Sequence, residues 1–142
     1  MDVALCNDKD WLQSQEAFSI YASCMYQPMY DAFKKRMKSY ASDSSVKIYV
    51  CTEDGDRIGM LVLQTSSAEA EIMGIAVSDR FRNRGVGRHM ILQVMEQERF
   101  KCMKAQTDDD AIGFYRSCGF RDKMTVVEYP DGKSVRYNCT LQ

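Results

Sequence analysis

Three arginines, Arg82, Arg84 and Arg88, flank the pair Gly85-x-Gly87. This grouping suits an anion. A guanidinium presents a fork of N–H donors, and a glycine lets backbone approach a ligand that a Cβ would hold away. The preceding residues are apolar apart from Glu71 and end in Ile75-Ala76-Val77, as a buried strand does. From Val86 the apolar residues fall at 86, 90, 91, 94 and 95, the spacing of one helical face. The order strand, basic loop, glycines, helix places orphan N–H groups and the positive end of a helix dipole beside the arginines. Such a helix start favours a phosphate. A P-loop is excluded, because Gly-x-x-x-x-Gly-Lys-Ser/Thr is absent. A dinucleotide fingerprint is also disfavoured, because Met90 stands where a third glycine is needed.

Further along, Phe114-Tyr115-Arg116-Ser117-Cys118-Gly119-Phe120 follows Asp108-Asp109-Asp110. Ala111, Phe114, Tyr115 and Cys118 are spaced as one helical face. The acidic run suits a first helical turn, and Gly119 suits its C-terminus. Arg82-x-x-Gly85-x-Gly87, after a strand ending Ala76-Val77, resembles the pyrophosphate-binding motif of the GNAT superfamily of N-acetyltransferases. The Phe114-Tyr115-x-x-x-Gly119-Phe120 segment resembles that family's Phe-Tyr-x-x-x-Gly-Phe ending. The resemblance runs from about residue 46 to 128 and leaves the N-terminal helices and the last strand without a motif.

The resemblance implies transfer of an acetyl group from acetyl-CoA to a primary amine by direct attack. The cradle for the pyrophosphate would be the backbone of Arg84, Gly85, Val86, Gly87 and Arg88, with Arg82 and Arg84 as charge partners. The backbone of Ile75, Ala76 and Val77 would pair with the pantetheine arm and could hold a developing oxyanion. Tyr115 matches the tyrosine that hydrogen-bonds the departing thiolate. Glu71, fourteen residues before Gly85, matches the catalytic glutamate of histone-acetylating members. A protonated amine needs such a base, directly or through water, and Glu69 is the substitute. Asp108 stands where many members have an Asn that contacts the cofactor; a carboxylate accepts but cannot donate. Strand parity would put Glu71 on one face with Met73, Ile75 and Val77, unless a bulge intervenes. The acceptor, a small-molecule or a peptide or protein amine, stays open, and Tyr21, Tyr26 and Tyr30 are loose candidates to line its site. The carboxylates at 69, 71 and 108–110 would suit a cationic amine. The alternative is a non-catalytic acetyl-CoA-binding sensor or interaction module with the same fold.

Bulk composition narrows the setting. A chain of 142 residues reads as one domain, 1–142, large enough for its own core. A net charge of −1 gives no electrostatic case for nucleic acid or an anionic membrane, so the basic cluster reads as a local site. No apolar run is long enough to span a bilayer, and the start lacks a basic secretory n-region. Six cysteines lie without a Cys-x-x-Cys, and His89 is the sole histidine. No metal site is expected, and the thiols read as reduced in a cytoplasmic protein.

Local patterns complete the layout. Residues 3–5 give a weak strand. Asn7 or Asp8 can cap a helix carrying Trp11, Phe18, Tyr21 and Met25, and Pro28 suits the first turn of a second helix with Tyr30, Phe33, Met37 and Tyr40. Val46, Ile48 and Val50 alternate with Lys47, Tyr49 and Cys51, as in a half-buried strand. Asp54-Gly55 marks a hairpin to 58–63. A strand at 70–77, a helix at 86–99 and a strand at 102–106 follow, and the segments 120–128 and 134–141 make the last pair. The fold class expected is α/β (α+β): a GNAT-type mixed, mostly antiparallel sheet flanked by helices. An exposed last strand could pair in a homodimer.

Overall fold

The computed structural model describes residues 1–142. The chain forms β1 (Asp2–Leu5), α1 (Lys9–Leu12), α2 (Gln15–Tyr21), a 3-10 turn at Ala22–Cys24, α3 (Tyr30–Ala41), β2 (Val46–Glu53), β3 (Asp56–Ser66) and β4 (Glu69–Val77). After a 3-10 turn at Asp79–Phe81 come α4 (Val86–Glu98), β5 (Cys102–Thr107), α5 (Ile112–Ser117), β6 (Arg121–Tyr129) and β7 (Gly132–Leu141). The seven strands form one sheet in the order β1-β2-β3-β4-β5-β7-β6. Every neighbouring pair is antiparallel except β4 with β5. The mixed, mostly antiparallel sheet flanked by helices is thus the one expected from the sequence.

The first helix differs from its sequence pattern. Asp8 does cap it, its carboxylate accepting from Trp11 N at 3.0 Å. However, Ser14 then starts a second helix, its hydroxyl accepting from Ala17 N at 3.1 Å. That local cap competes with continuation, so one periodic stripe becomes α1, α2 and a 3-10 turn. Pro28 lies outside the next helix, which begins at Tyr30 after an extended Met29 (φ −130°, ψ 137°). Gln27, just before the proline, holds φ +47°.

Helices α1–α3 cover one face of the sheet. Trp11, Leu12, Ala17, Ile20, Tyr21, Phe33 and Met37 pack there on Ile48, Val50, Met60, Val62 and Ala76. Helices α4 and α5 cover the other face. Val86, Met90, Ile91, Val94, Ile112 and Tyr115 pack there on Tyr49, Cys51, Leu61, Leu63, Met103, Ala105 and Cys139. Tyr49 and Cys51 are therefore core residues at 1% and 0% exposure. The strand expected to be half-buried is buried on both faces because helices lie on both. Burying each large apolar side chain contributes about 1.5–3 kcal/mol before entropy is counted.

The second arm of the sheet, β5-β7-β6, is covered on the α4 face alone. No residue of these strands belongs to the cluster under α1–α3. The two arms meet over three rungs: Glu69 opposite Cys102, Ala70 opposite Met103 and Glu71 opposite Lys104. Beyond Glu71 the strands diverge, and the β5-facing edge of β4 is free of sheet partners.

Candidate active site

The divergence of β4 and β5 sets the site, and a bulge in β4 shapes it. The register with β3 pairs Leu63 with Ile72 and Val62 with Gly74, so Met73 is an extra residue. An inserted residue reverses the alternation. Glu71 therefore lies on the α2 face with Gly74 and Ala76, while Ile72, Ile75 and Val77 pack toward α4. The simple parity expected for Glu71 is corrected by this bulge. Tyr21 supports it from the α2 side. A Cβ on Gly74 would collide with the Tyr21 hydroxyl and come within 2.6 Å of its Cζ. The absence of a side chain at 74 lets a buried tyrosine reach the strand where the arms part.

Glu71 is exposed and occupies the last paired rung before the opening. No ion pair engages it. Its neighbour Glu69 instead binds Lys104 Nζ at 3.3 Å. Of the two carboxylates, Glu71 is the one without an ion pair.

Past Ser78 the chain reaches the basic loop. Arg82 is turned back: Nη2 pairs with Asp79 at 3.0 Å, and Nε donates to Val77 O at 3.5 Å. It braces the exit of β4. Arg80 and Arg84 lie over the Phe81 ring at 5.7 and 5.4 Å. Arg84 and Arg88 are exposed and carry no ion pair. Asn83 (φ +61°) and Gly85 (φ +77°, ψ 14°) take left-handed backbone. The first backbone bond of α4 is His89 N to Gly85 O at 2.9 Å. The N–H groups of Val86, Gly87 and Arg88 precede it and have no backbone acceptor. Nothing lies within 4 Å of where a Cβ on Gly85 would be. This is an open, electropositive helix end, and it fits a pyrophosphate. Gly87 has a packing reason as well. A Cβ there would stand 3.0 Å from the Phe114 ring of α5, so Gly87 lets α4 and α5 close together.

Tyr115 stands on α5 at the far side of the opening. Phe114 and Phe120 hold its ring edge-on, with centroids at 5.2 and 5.3 Å. Burial pushes its pKa up to about 12. Charge on Cys139, Cys24, Cys118 or Asp108 would push the same way. It belongs to the buried cluster that includes Cys118, Phe120 and, from the second arm, Cys139. No protein group accepts from its hydroxyl. Asp108 acts locally, its carboxylate accepting from Asp110 N and Ala111 N, both at 3.1 Å. It caps the turn that leads into α5, so the acidic run precedes the helix and is not its first turn.

The structure thus gathers Glu71, the free edge at Ile75–Val77, the start of α4 and Tyr115 around one opening. Arg82 and Asp108 are occupied by intrachain contacts. Cys24 also borders the opening, and no local sequence signal marks it. As a residue it is exposed, but its thiol is turned inward. Burial raises its pKa to about 11, and the Ile75 N–H is one of the groups that partly offset the rise. All six cysteines are free.

Comparison with known proteins bears on the family and the fold. A family model described as an acetyltransferase (GNAT) domain matches residues 44–122, more than half of the chain. The chain belongs to the GNAT acetyltransferases. No curated protein matches it. Among solved structures, the ribosomal-protein-S18-alanine N-acetyltransferase of Escherichia coli superposes with a TM-score of 0.75 at 18% identity, covering 99% of this chain and 92% of its own. A GNAT family acetyltransferase from Elizabethkingia anophelis with acetyl-CoA bound gives 0.69 at 17% identity, covering 99% and 97%. A Vibrio cholerae spermidine N-acetyltransferase mutant gives 0.74 at 12% identity, covering 99% and 94%. At these identities the likeness is one of fold. For this GNAT chain, no helix is long and apolar enough to cross a membrane.

Proposed function

We propose that this protein transfers an acetyl group from acetyl-CoA to a primary amine by direct attack, in the cytoplasm. The observation that carries the reading is the single opening in the sheet. It is edged by unpaired β4 backbone, begins at an unpaired carboxylate and ends at a helix start with three free N–H groups. A module that only sensed the cofactor would not need Glu71 free at one side of that opening and the Tyr115 hydroxyl free at the other.

Each residue has a role that its surroundings permit. The N–H groups of Val86, Gly87 and Arg88, with Arg84 and Arg88 alongside, hold pyrophosphate oxygens. The edge at Ile75, Ala76 and Val77 aligns the pantetheine amides as a neighbouring strand would, and its free N–H groups offset negative charge on the acyl oxygen. Bound acetyl-CoA supplies an activated acyl group whose leaving atom is sulfur. Glu71 takes the proton of the incoming ammonium, directly or through water, so that nitrogen has a lone pair for attack. Tyr115 donates a hydrogen bond to the departing sulfur. Its own proton is held tightly: a donor near 12 facing a thiol near 8.5 is uphill by about 5 kcal/mol for full transfer.

The test is release of free coenzyme A thiol from acetyl-CoA across a panel of amines and peptides, with calorimetry for acetyl-CoA itself. Acetyl-CoA binding and amine-dependent release are expected. Binding without release for every acceptor would leave a sensor.

A further inference from the structure

The α2 face of the second arm has no helix over it, and its side chains follow one pattern. Residues paired across strands point to the same face, so one row runs Glu71, Lys104, Thr140, Arg121 across β4, β5, β7 and β6. The next row holds Gln106, Asn138 and Lys123, and the one beyond holds Arg136 and Thr125. Four cations thus stand on this face of β5-β7-β6, and not one carboxylate. The acids of the arm are elsewhere. Asp122 pairs with Arg116 of α5 at 2.9 Å, and Asp109 accepts from Tyr137 at 2.6 Å, both on the α4 face. Of the acidic run, Asp108 is turned to its own backbone and Asp109 to Tyr137, so Glu69 and Glu71 are the carboxylates that border this side.

Lys104 is neutralised by Glu69, but Arg121, Lys123 and Arg136 have no ion pair. Arg136 Nε is buried with no hydrogen-bond partner, an unmet donor of a guanidinium whose fork matches a carboxylate in shape. A depression of about 320 Å³ opens at the other end of this face, lined by Gly119, Arg121, Thr140 and Gln142.

Resting on the transferase reading above, we propose that the acceptor is a peptide or protein amine followed by acidic residues, laid across this face. Glu71 marks where the amine must stand, and Arg121 lies three strands away, about 14 Å at ordinary strand spacing. An extended chain covers that in roughly four residues. A carboxylate next to the amine, as in a free amino acid, would fall short of the cations. A polyamine anchored at Glu71 would meet Arg121 and Lys123 further along, with no carboxylate beside them to offset the repulsion.

The experiment measures kcat/KM by thiol release with three peptides that share an amino-terminal residue and differ at positions two to five, being Glu-rich, Ser-rich or Lys-rich, and with spermidine. Exposed ion pairs each contribute modestly, so Arg121 and Lys123, with the half-buried Arg136, should favour the Glu-rich over the Lys-rich peptide by roughly ten-fold at low salt and less at high salt. Arg121→Glu with Lys123→Glu, both at exposed positions, should erase or invert that order while the KM for acetyl-CoA stays put. Lys-rich peptide or spermidine turned over as well as the Glu-rich peptide would overturn the proposal and leave the transferase intact. Bound acetyl-CoA with no acceptor turned over would overturn the transferase reading and this one with it.

Discussion

Replacing Tyr115 with Phe isolates one hydroxyl. The ring, and with it the edge-on packing on Phe114 and Phe120, is preserved, and no protein acceptor loses a partner. Stability near neutral pH should stay within about 0.5 kcal/mol of the parent. The kinetic loss depends on what the hydroxyl does. A group that completed proton transfer would follow general-acid magnitudes, about 10²- to 10⁴-fold. With burial holding the phenol near 12, transfer to sulfur is opposed by about 5 kcal/mol, and a hydrogen bond to a charged sulfur is what remains. Such a bond contributes about 1.5–3 kcal/mol, a loss of roughly 10- to 150-fold in kcat with little change in acetyl-CoA affinity. The assay is thiol release at saturating acceptor between pH 7 and 10.5. The parent should show no falling limb from this tyrosine in that range, because a phenol near 12 stays protonated. Turnover equal to the parent would make Tyr115 a packing residue. A loss beyond 10³-fold, or a limb near pH 10 that vanishes in the variant, would refute the argument from burial.

Glu71→Gln should slow turnover most near neutrality and recover in part as pH nears the amine's own ionisation, where free amine exists without help; parallel pH–rate profiles for parent and variant would remove Glu71 from proton transfer. Gly87→Ala should cost about 1–3 kcal/mol in urea unfolding, because its Cβ would press on the Phe114 ring at 3.0 Å. Phe114→Leu in the same chain should return part of that cost, and additive losses would refute the contact. Alkali should unfold the protein progressively above pH 10. Tyr115 ionises near 10 when unfolded and near 12 when folded, so the unfolded state loses its proton first. About 3 kcal/mol of stability, intact below pH 10, is therefore lost as pH climbs through the folded value. Buried Tyr21 and Tyr49 shift in the same direction. A Tyr115→Phe chain should lose less between pH 10 and 12 by chemical denaturation.

The basic loop and α4 were legible because their signals are local. Glycines next to arginines, followed by a 3.6-residue apolar period, say where a helix starts whatever surrounds it. The same holds for Asp54-Gly55, which does turn β2 into β3. Features that depend on a distant partner were not legible. The bulge at Met73 exists in the register with β3; Gly74 beside it is the local hint, but the β4 sequence alone does not say which residue is the extra one. The packing reason for Gly87 lies on α5, far along the chain. Ser14 reads as one more polar residue until its hydroxyl caps Ala17. The cations on β5, β6 and β7 are scattered over Lys104, Arg121, Lys123 and Arg136, and only the pairing of strands makes them neighbours.

The three rungs joining β4 to β5 also make a mechanical seam. The cluster under α1–α3 lies wholly on one side of it, and the cluster under α4 and α5 spans it. Strain or heat should therefore part the sheet there before either arm melts, and amides of Ile72–Val77 facing the gap should exchange hydrogen for deuterium sooner than those facing β3. A ligand lying along that edge would act as a stitch, with its amides bonded to one arm and its sulfur beside a tyrosine of the other. Binding would then slow exchange on both sides at once and fuse two folding units into one. In this protein the reaction's donor would double as the missing stretch of sheet.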